Sequence, residues 1–213
     1  MRIAFITAAL GEMRLPLHAD QNVPVEHYSF TYDNFPARTQ NMGARLQARI
    51  PKMFGWQIVP GADLYIWLDA SFSLSQPISV EWLVASLGSG DLAIFAHPDR
   101  VTVRQEAEFI RKQIAQGNRY LVRRYLHEDI DGHLALLDHL AYPDDCLYAT
   151  GALVYRPTAT VQAATWRWWA YTSRYHSVDQ LSAPVAFWQE GLQPVILPGN
   201  IFTCPMFRYE NHR

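Results

Sequence analysis

Short apolar runs alternating with stretches of helical periodicity constrain this chain more than any other feature. The runs are "RIAFITA" (2–8), "VEHYSFTYD" (25–33), "LYIWLD" (64–69), "DLAIFAH" (91–97), "LYATGALVYR" (147–156) and "QPVILP" (193–198). Each has the length of a strand and is too short for a buried helix. Helices are predicted between them near 38–54, 79–88, 102–116, 119–140, 160–174 and 178–190. Strands interleaved with helices bury their apolar faces only by layering, so the chain is expected to be an α/β domain. Neither a repeat nor a linker interrupts the pattern, and one domain over residues 1–213 is expected.

Composition narrows the function. Apolar residues make up 49% of the chain and charged residues 18%, as in a soluble globular protein. Eighteen basic residues stand against 20 acidic ones, a net charge of −2, which gives no electrostatic case for general nucleic-acid or membrane-surface binding. Cys146 and Cys204 lie far apart and form neither a CxxC pair nor a disulfide framework. The opening "MRIAFITAAL" reads as a first strand or as a weak leader, and no segment approaches a membrane-spanning length. A cytoplasmic protein is expected.

Candidate chemistry clusters near strand ends. "DLYIWLDASF" stops a buried run on Asp69, which caps a turn or holds a ligand, with Ser71 just beyond. "RLQARIPK" puts Arg45, Arg49 and Lys52 on one helical stripe suited to a diphosphate or, equally, to solvent; Pro51 is expected to kink or end that helix before Lys52. "FAHPDR" places His97 and Arg100 after a strand, and the histidines show no HExxH spacing, which excludes a zinc-protease motif. "ATGALVYR" offers Thr150 and Gly151, where a missing Cβ permits a ligand's approach or marks a bulge. Capping boxes are predicted at Thr102–Gln105 and at Ser177–Gln180, the second containing Asp179 and Gln180. The stripe Val161, Thr165, Trp168, Thr172 reads as core, as do Trp56 and Tyr148.

The order of these pieces resembles a known family. "ARIPK", "PGADLYIWLDAS", "FAHPDRVTVRQEAEFI", "LYATGALVYR", a tryptophan-rich helix and "SVDQLSAPVAFW" follow one another over residues 38–190. They are similar to the glycosyltransferase-like domain of the plant turgor-regulation-defect and mucilage-related proteins, which also has bacterial members. There a cationic helix precedes a "siWiDg" strand, and a "kHp.R...yeEa" segment, a "ly.tgvi.R" strand, paired tryptophans and an "RDQlS" helix follow. This chain departs at Gly55–Trp56, at Ala70–Ser71 and at Val178.

The resemblance implies a GT-A-type, Rossmann-like three-layer sandwich with a mostly parallel sheet that binds a nucleotide-sugar. Asp69 takes the place of the first carboxylate of a DxD motif, Arg49 and Lys52 that of a cationic pair, His97 and Arg100 an HxxR pair. Glu106 and the pair Asp179–Gln180 follow by position. The implied activity is sugar transfer from a nucleotide-diphosphate sugar to an unknown acceptor, whether glycan, protein, lipid or nucleic acid. Mn²⁺ or Mg²⁺ is expected on Asp69 and His97, because a departing diphosphate needs positive charge. Arg49 and Lys52 supplement or replace that ion. Asp179, with Glu106 second, is expected to take the acceptor's proton. The alternative is a catalytically silent nucleotide-sugar-binding domain. A nucleotidyltransferase would call for a glycine-rich basic loop after the first strand, which "TAALGEMRLP" does not supply.

Overall fold

The computed structural model describes residues 1–35 and 42–210. Its central sheet has six strands: β1 (Ile3–Ala8), β2 (Glu26–Phe30), β3 (Leu64–Leu68), β5 (Leu92–Ala96), β6 (Tyr148–Tyr155) and β7 (Val195–Leu197). Their order is β2-β1-β3-β6-β5-β7. Only β6 runs against its neighbours; the β1–β2, β1–β3 and β5–β7 pairs are parallel. The opening residues are thus an inner strand, with "IAFITA" buried throughout. A short ribbon of β4 (Phe72–Leu74) and β8 (Phe207–Tyr209) lies apart from this sheet.

Alternation along the inner strands divides the core. On one face Ile6, Trp67, Ile94 and Leu153 meet α1 (Ala44–Ile58), α6 (Ala159–Arg174) and α7 (Asp179–Gln189). On the other, Phe5, Ile66, Leu68 and Phe95 meet α2 (Ser79–Leu87) and the β4–β8 ribbon. A mostly parallel sheet covered on both faces is the three-layer α/β architecture that was expected. A third apolar cluster packs α3 (Val103–Ala115) and α5 (Ile130–His139) against α7, with α4 (Arg119–Tyr125) beside α3.

Several local expectations change. The helix predicted near 38–54 is observed over Ala44–Ile58, and its residues 38–41 lie outside the described residues. Pro51 does not end it: the irregular residue is Phe54 (φ −117°, ψ 23°). Burial of Pro51, Lys52, Met53 and Phe54 outweighs the missing hydrogen bond, a penalty of about 3 kcal/mol. The single helix predicted over 119–140 is two, because Asn118 caps one and Asp129 caps the next. The Thr102 capping box forms. The Ser177 box does not: α7 begins after Val178 without a side-chain cap, and Glu128 accepts both the Ser177 N–H and its hydroxyl.

α1 lies close on the sheet because residue 55 is glycine. A Cβ there would overlap Ile6 Cδ1 and stand 3.1 Å from Tyr155 Oη. Gly55→Val is expected to lower stability by about 2 kcal/mol through overpacking. Urea denaturation should show a lower midpoint with an unchanged slope, and an unmoved midpoint would contradict this account of the α1–sheet contact.

Candidate active site

Four charged side chains meet where β3 ends and α7 begins. Lys52, from α1, is fully buried and lies 2.6 Å from Asp179 Oδ2 and 3.3 Å from Asp69 Oδ1. Arg49, one turn earlier, donates from Nη2 to Asp179 Oδ1 at 2.9 Å, with Nη1 3.9 Å from Asp69 Oδ1. Thr150 Oγ1 donates to Asp179 Oδ2 at 3.1 Å. Two tryptophans wall the ammonium: Lys52 Nζ is 5.6 Å from the ring centroids of both Trp67 and Trp168. Both indole N–H groups are used, Trp67 on Asp69 Oδ1 at 2.6 Å and Trp168 on the Asp179 carbonyl at 2.7 Å.

The sequence explains the convergence. Arg49 and Lys52 are three residues apart on a helix and share a face. Asp69 follows an odd-numbered run, Tyr65 and Trp67, whose side chains point to the α1 face. Thr150 is aimed by a bulge: Ile94 pairs with Leu153 but Phe95 with Ala149, so residues 150–152 loop out against β5. Gly151 sits in that bulge. Its carbonyl accepts the Asp69 N–H at 2.7 Å, and a Cβ on it would stand 3.7 Å from Asp69 Oδ2 and 3.1 Å from the Phe72 ring.

Charge pairing governs the electrostatics. Burial alone would push the Asp179 carboxyl up, but Arg49 and Lys52 hold it below the ordinary carboxylate range. The Arg49 guanidinium is pulled down by burial and raised overall by Asp179 and Asp69. Its Nε is buried and finds no acceptor among the described residues.

A second group adjoins the first through Gln180. Gln180 Nε2 and Arg100 Nε both donate to Glu106, one to each carboxylate oxygen. His97 Nδ1 accepts the N–H groups of Asp99 and Arg100 at 3.2 Å, while Nε2 lies 4.0 Å from Glu106 Oε2. Burial, aided by Arg100, lowers the His97 pKa to about 4, so the ring is neutral near pH 7. Burial raises the Glu106 pKa despite Arg100.

The structure therefore brings Arg49, Lys52, Asp69, Thr150, Gly151, Asp179 and Gln180 together, with His97, Arg100 and Glu106 alongside. His97 is engaged with Arg100 and Glu106, not with Asp69. Arg45 points elsewhere, donating to Tyr125 Oη with its guanidinium 5.0 Å above that ring. Ser71 occupies the turn after Asp69, where its carbonyl accepts Glu210 N–H at 2.7 Å. Trp56 and Tyr148 are core-side residues, Trp56 donating to Thr165 Oγ1 and Tyr148 packing on Phe187. Sequence reasoning left Trp67 and Trp168 out of the site, although the paired aromatics near an acid-ending strand were visible. It also missed the buried His133–His176 contact at 2.9 Å, whose partners lie 43 residues apart.

Asp179 generates a pH-dependent prediction. Its folded pKa lies below the unfolded one, so its contribution is complete above about pH 4 and is lost as pH falls through the folded value. Asp179→Asn should melt lower than the parent at pH 7, with the gap narrowing below pH 4. A gap that stays constant from pH 7 to pH 3 would show that the ion pairs do not stabilise the fold.

A crystal structure of glucosyl-3-phosphoglycerate synthase from Mycobacterium tuberculosis, in complex with Mn²⁺, uridine diphosphate and phosphoglyceric acid, is similar at 12% identity and a TM-score of 0.35. The match covers 81% of this chain and 64% of that one, so this chain spans less than two thirds of the enzyme's length. Among curated proteins no sequence matches. The family model described as TOD1/MUCI70, glycosyltransferase-like domain, matches residues 38–211. The chain belongs to the TOD1/MUCI70 glycosyltransferase-like domain family.

Proposed function

We propose that the chain is a glycosyltransferase that moves a sugar from a nucleoside-diphosphate sugar to a hydroxyl acceptor. The observation that carries this reading, beyond family membership, is the state of Asp69. Both its hydrogen-bond donors among the described residues converge on Oδ1, Trp67 at 2.6 Å and Lys52 at 3.3 Å, and the Arg49 guanidinium lies 3.9 Å from the same oxygen. Oδ2 accepts no hydrogen bond from any described residue, and the side chain is 28% exposed. A carboxylate fixed through one oxygen and open at the other is prepared to receive a cation.

Cleaving the glycosyl bond builds negative charge on the departing diphosphate. Arg49 and Lys52 are already balanced by Asp69 and Asp179, so the four groups together present no net positive charge. A divalent ion, Mn²⁺ or Mg²⁺, held by Asp69 Oδ2 and by the donor's own phosphates would supply the missing Lewis acidity. Among the described residues no three His, Cys, Asp or Glu side chains cluster as a metal site. That fits an ion arriving with the phosphates, with His97 outside its shell. Gly151 leaves room beside Oδ2 that a Cβ would fill.

The two candidate bases separate on the same physics. Asp179, held low by two cations, is a weak proton acceptor, and in this reading it orients sugar hydroxyls together with Gln180. Glu106, raised by burial, is the stronger base of the two; Arg100 and Gln180 hold its two oxygens, so in this reading it takes the acceptor's proton as the acceptor hydroxyl displaces one of those donors.

Nucleoside diphosphates should raise the melting temperature in the presence of Mn²⁺, and Asp69→Asn should abolish the metal-dependent part of that rise. An undiminished rise in the variant would reject the role given to Asp69. Slow nucleotide release from a sugar donor marks an enzyme; donor binding with neither hydrolysis nor transfer marks the silent domain.

A further inference from the structure

A cavity of about 380 Å³ lies between the first turn of α1, α4, and the end of α6 with the loop into α7. Its wall carries Arg45, Arg123, Arg124 and Arg174 against one carboxylate, Glu128. Glu128 is committed to Ser177, whose N–H and hydroxyl it accepts at 2.9 and 2.6 Å. Several arginines elsewhere, Arg2, Arg104 and Arg167 among them, rest on carboxylates, while Arg156 is held by two backbone carbonyls. None of the four cavity arginines has a carboxylate within 4.0 Å among the described residues, and residues 36–41 and 211–213 contain no aspartate or glutamate.

Three of these cations, Arg45, Arg124 and Arg174, lie over tyrosine rings instead of against carboxylates. Arg45 rests on Tyr125, and Arg124 lies 3.7 Å from the Tyr120 ring centroid. Burial first, and Arg45 and Arg49 after it, push the Arg124 pKa down to about 10. One further feature faces the same space. Gly43, the N-cap residue of α1, offers no side-chain oxygen to the first-turn N–H groups, so the positive end of that helix meets the cavity without a side-chain cap from its N-cap residue.

The cavity is near the site yet distinct from it. α1 returns to β3 through residues 59–63, so its first turn projects past the carboxyl end of that strand. Along α1, Arg45 stands one turn before Arg49 and seven positions before Lys52, about 10 Å at 1.5 Å per residue. In the reading above the donor diphosphate belongs at Asp69, so the anion for this second position comes from the other substrate.

We propose that the arginine-lined cavity binds an oxyanion carried by the acceptor sugar, a carboxylate or a phosphate, and rests on the glycosyl-transfer reading for the word acceptor. Guanidinium forks suit both groups, because each presents paired oxygens to paired N–H donors. The acceptor class is thus an acidic sugar.

Calorimetric titration at fixed ionic strength tests it, using a uronic-acid trisaccharide, glucose 6-phosphate and neutral maltotriose. The parent chain should bind at least one acidic probe and not maltotriose; the tighter acidic probe identifies the oxyanion. Arg123→Gln/Arg124→Gln should bind that probe at least ten-fold more weakly, with an unchanged melting temperature. Its affinity for uridine or guanosine diphosphate with Mn²⁺ should stay within two-fold of the parent. Equal binding of acidic and neutral sugars, or acidic-sugar affinity unchanged in the variant, overturns the proposal. So does a matching loss of diphosphate affinity, which would give the cavity to the donor. Acidic-sugar binding by a chain that binds no nucleoside diphosphate upholds the oxyanion site and fails the glycosyl-transfer reading separately.

Discussion

The structure depends on two cations being buried at the carboxyl edge of the sheet. Taking a lysine and an arginine out of water costs several kcal/mol each unless opposite charge and hydrogen bonds compensate. Here the compensation is shared among elements distant in sequence: α1 brings Arg49 and Lys52, β3 brings Asp69, β6 brings Thr150, and α7 brings Asp179. Each Asp179 oxygen has its own cation, and the indole faces of Trp67 and Trp168 close over the ammonium. The ion cluster therefore fixes how α1 and α7, which share one face, seat on the sheet at β3 and β6. It also leaves Asp69 as the member that reaches solvent, which ties the cluster's stabilising role to its chemical one.

That double use has an electrostatic consequence. A free cationic stripe would attract a diphosphate directly. A stripe already neutralised by two carboxylates does not, and an outward-facing carboxylate oxygen repels phosphate unless a cation stands between them. The pairing that makes Arg49 and Lys52 tolerable in the interior is thus the reason the proposed mechanism calls for a divalent ion. Four arginines without carboxylate partners among the described residues, Arg45, Arg123, Arg124 and Arg174, line a separate cavity instead, Arg45 standing about two helical turns from Lys52.

Features carried by local pattern were legible in the sequence. The apolar runs gave the six strands of the main sheet to within a few residues, and the Arg49–Lys52 spacing gave a shared helical face. The Thr102 box formed because its partners are three residues apart and nothing distant competes. The Ser177 box failed because Glu128, 49 residues away, takes the same hydroxyl, a competition that local pattern does not register. The ribbon strands β4 and β8 have three residues each, too few for any periodicity to show. The arginine cavity was hidden for the same reason as the His133–His176 contact: its members come from α1, α4 and α6 and become neighbours only through packing.

The chain's departures from its family's pattern bear on whether the site is intact. Gly55 stands at the closest approach of α1 to β1, and Trp56 hydrogen-bonds Thr165 of α6, so that substitution belongs to helix packing. Val178 is 3% exposed within the cluster formed by α3, α5 and α7, where a charged side chain would need a partner of its own. Ala70 is buried, and Ser71 serves the strand turn through its carbonyl. No hydrogen bond or ion pair joins their side chains to Asp69, Asp179 or Glu106 among the described residues. At Val178 the arginine of the family's "RDQlS" pattern is exchanged for apolar contact, while the four-charge cluster stands. Removing Lys52 alone would take from Asp69 and Asp179 a cation they share, so the fold itself holds this cluster in place, independently of turnover.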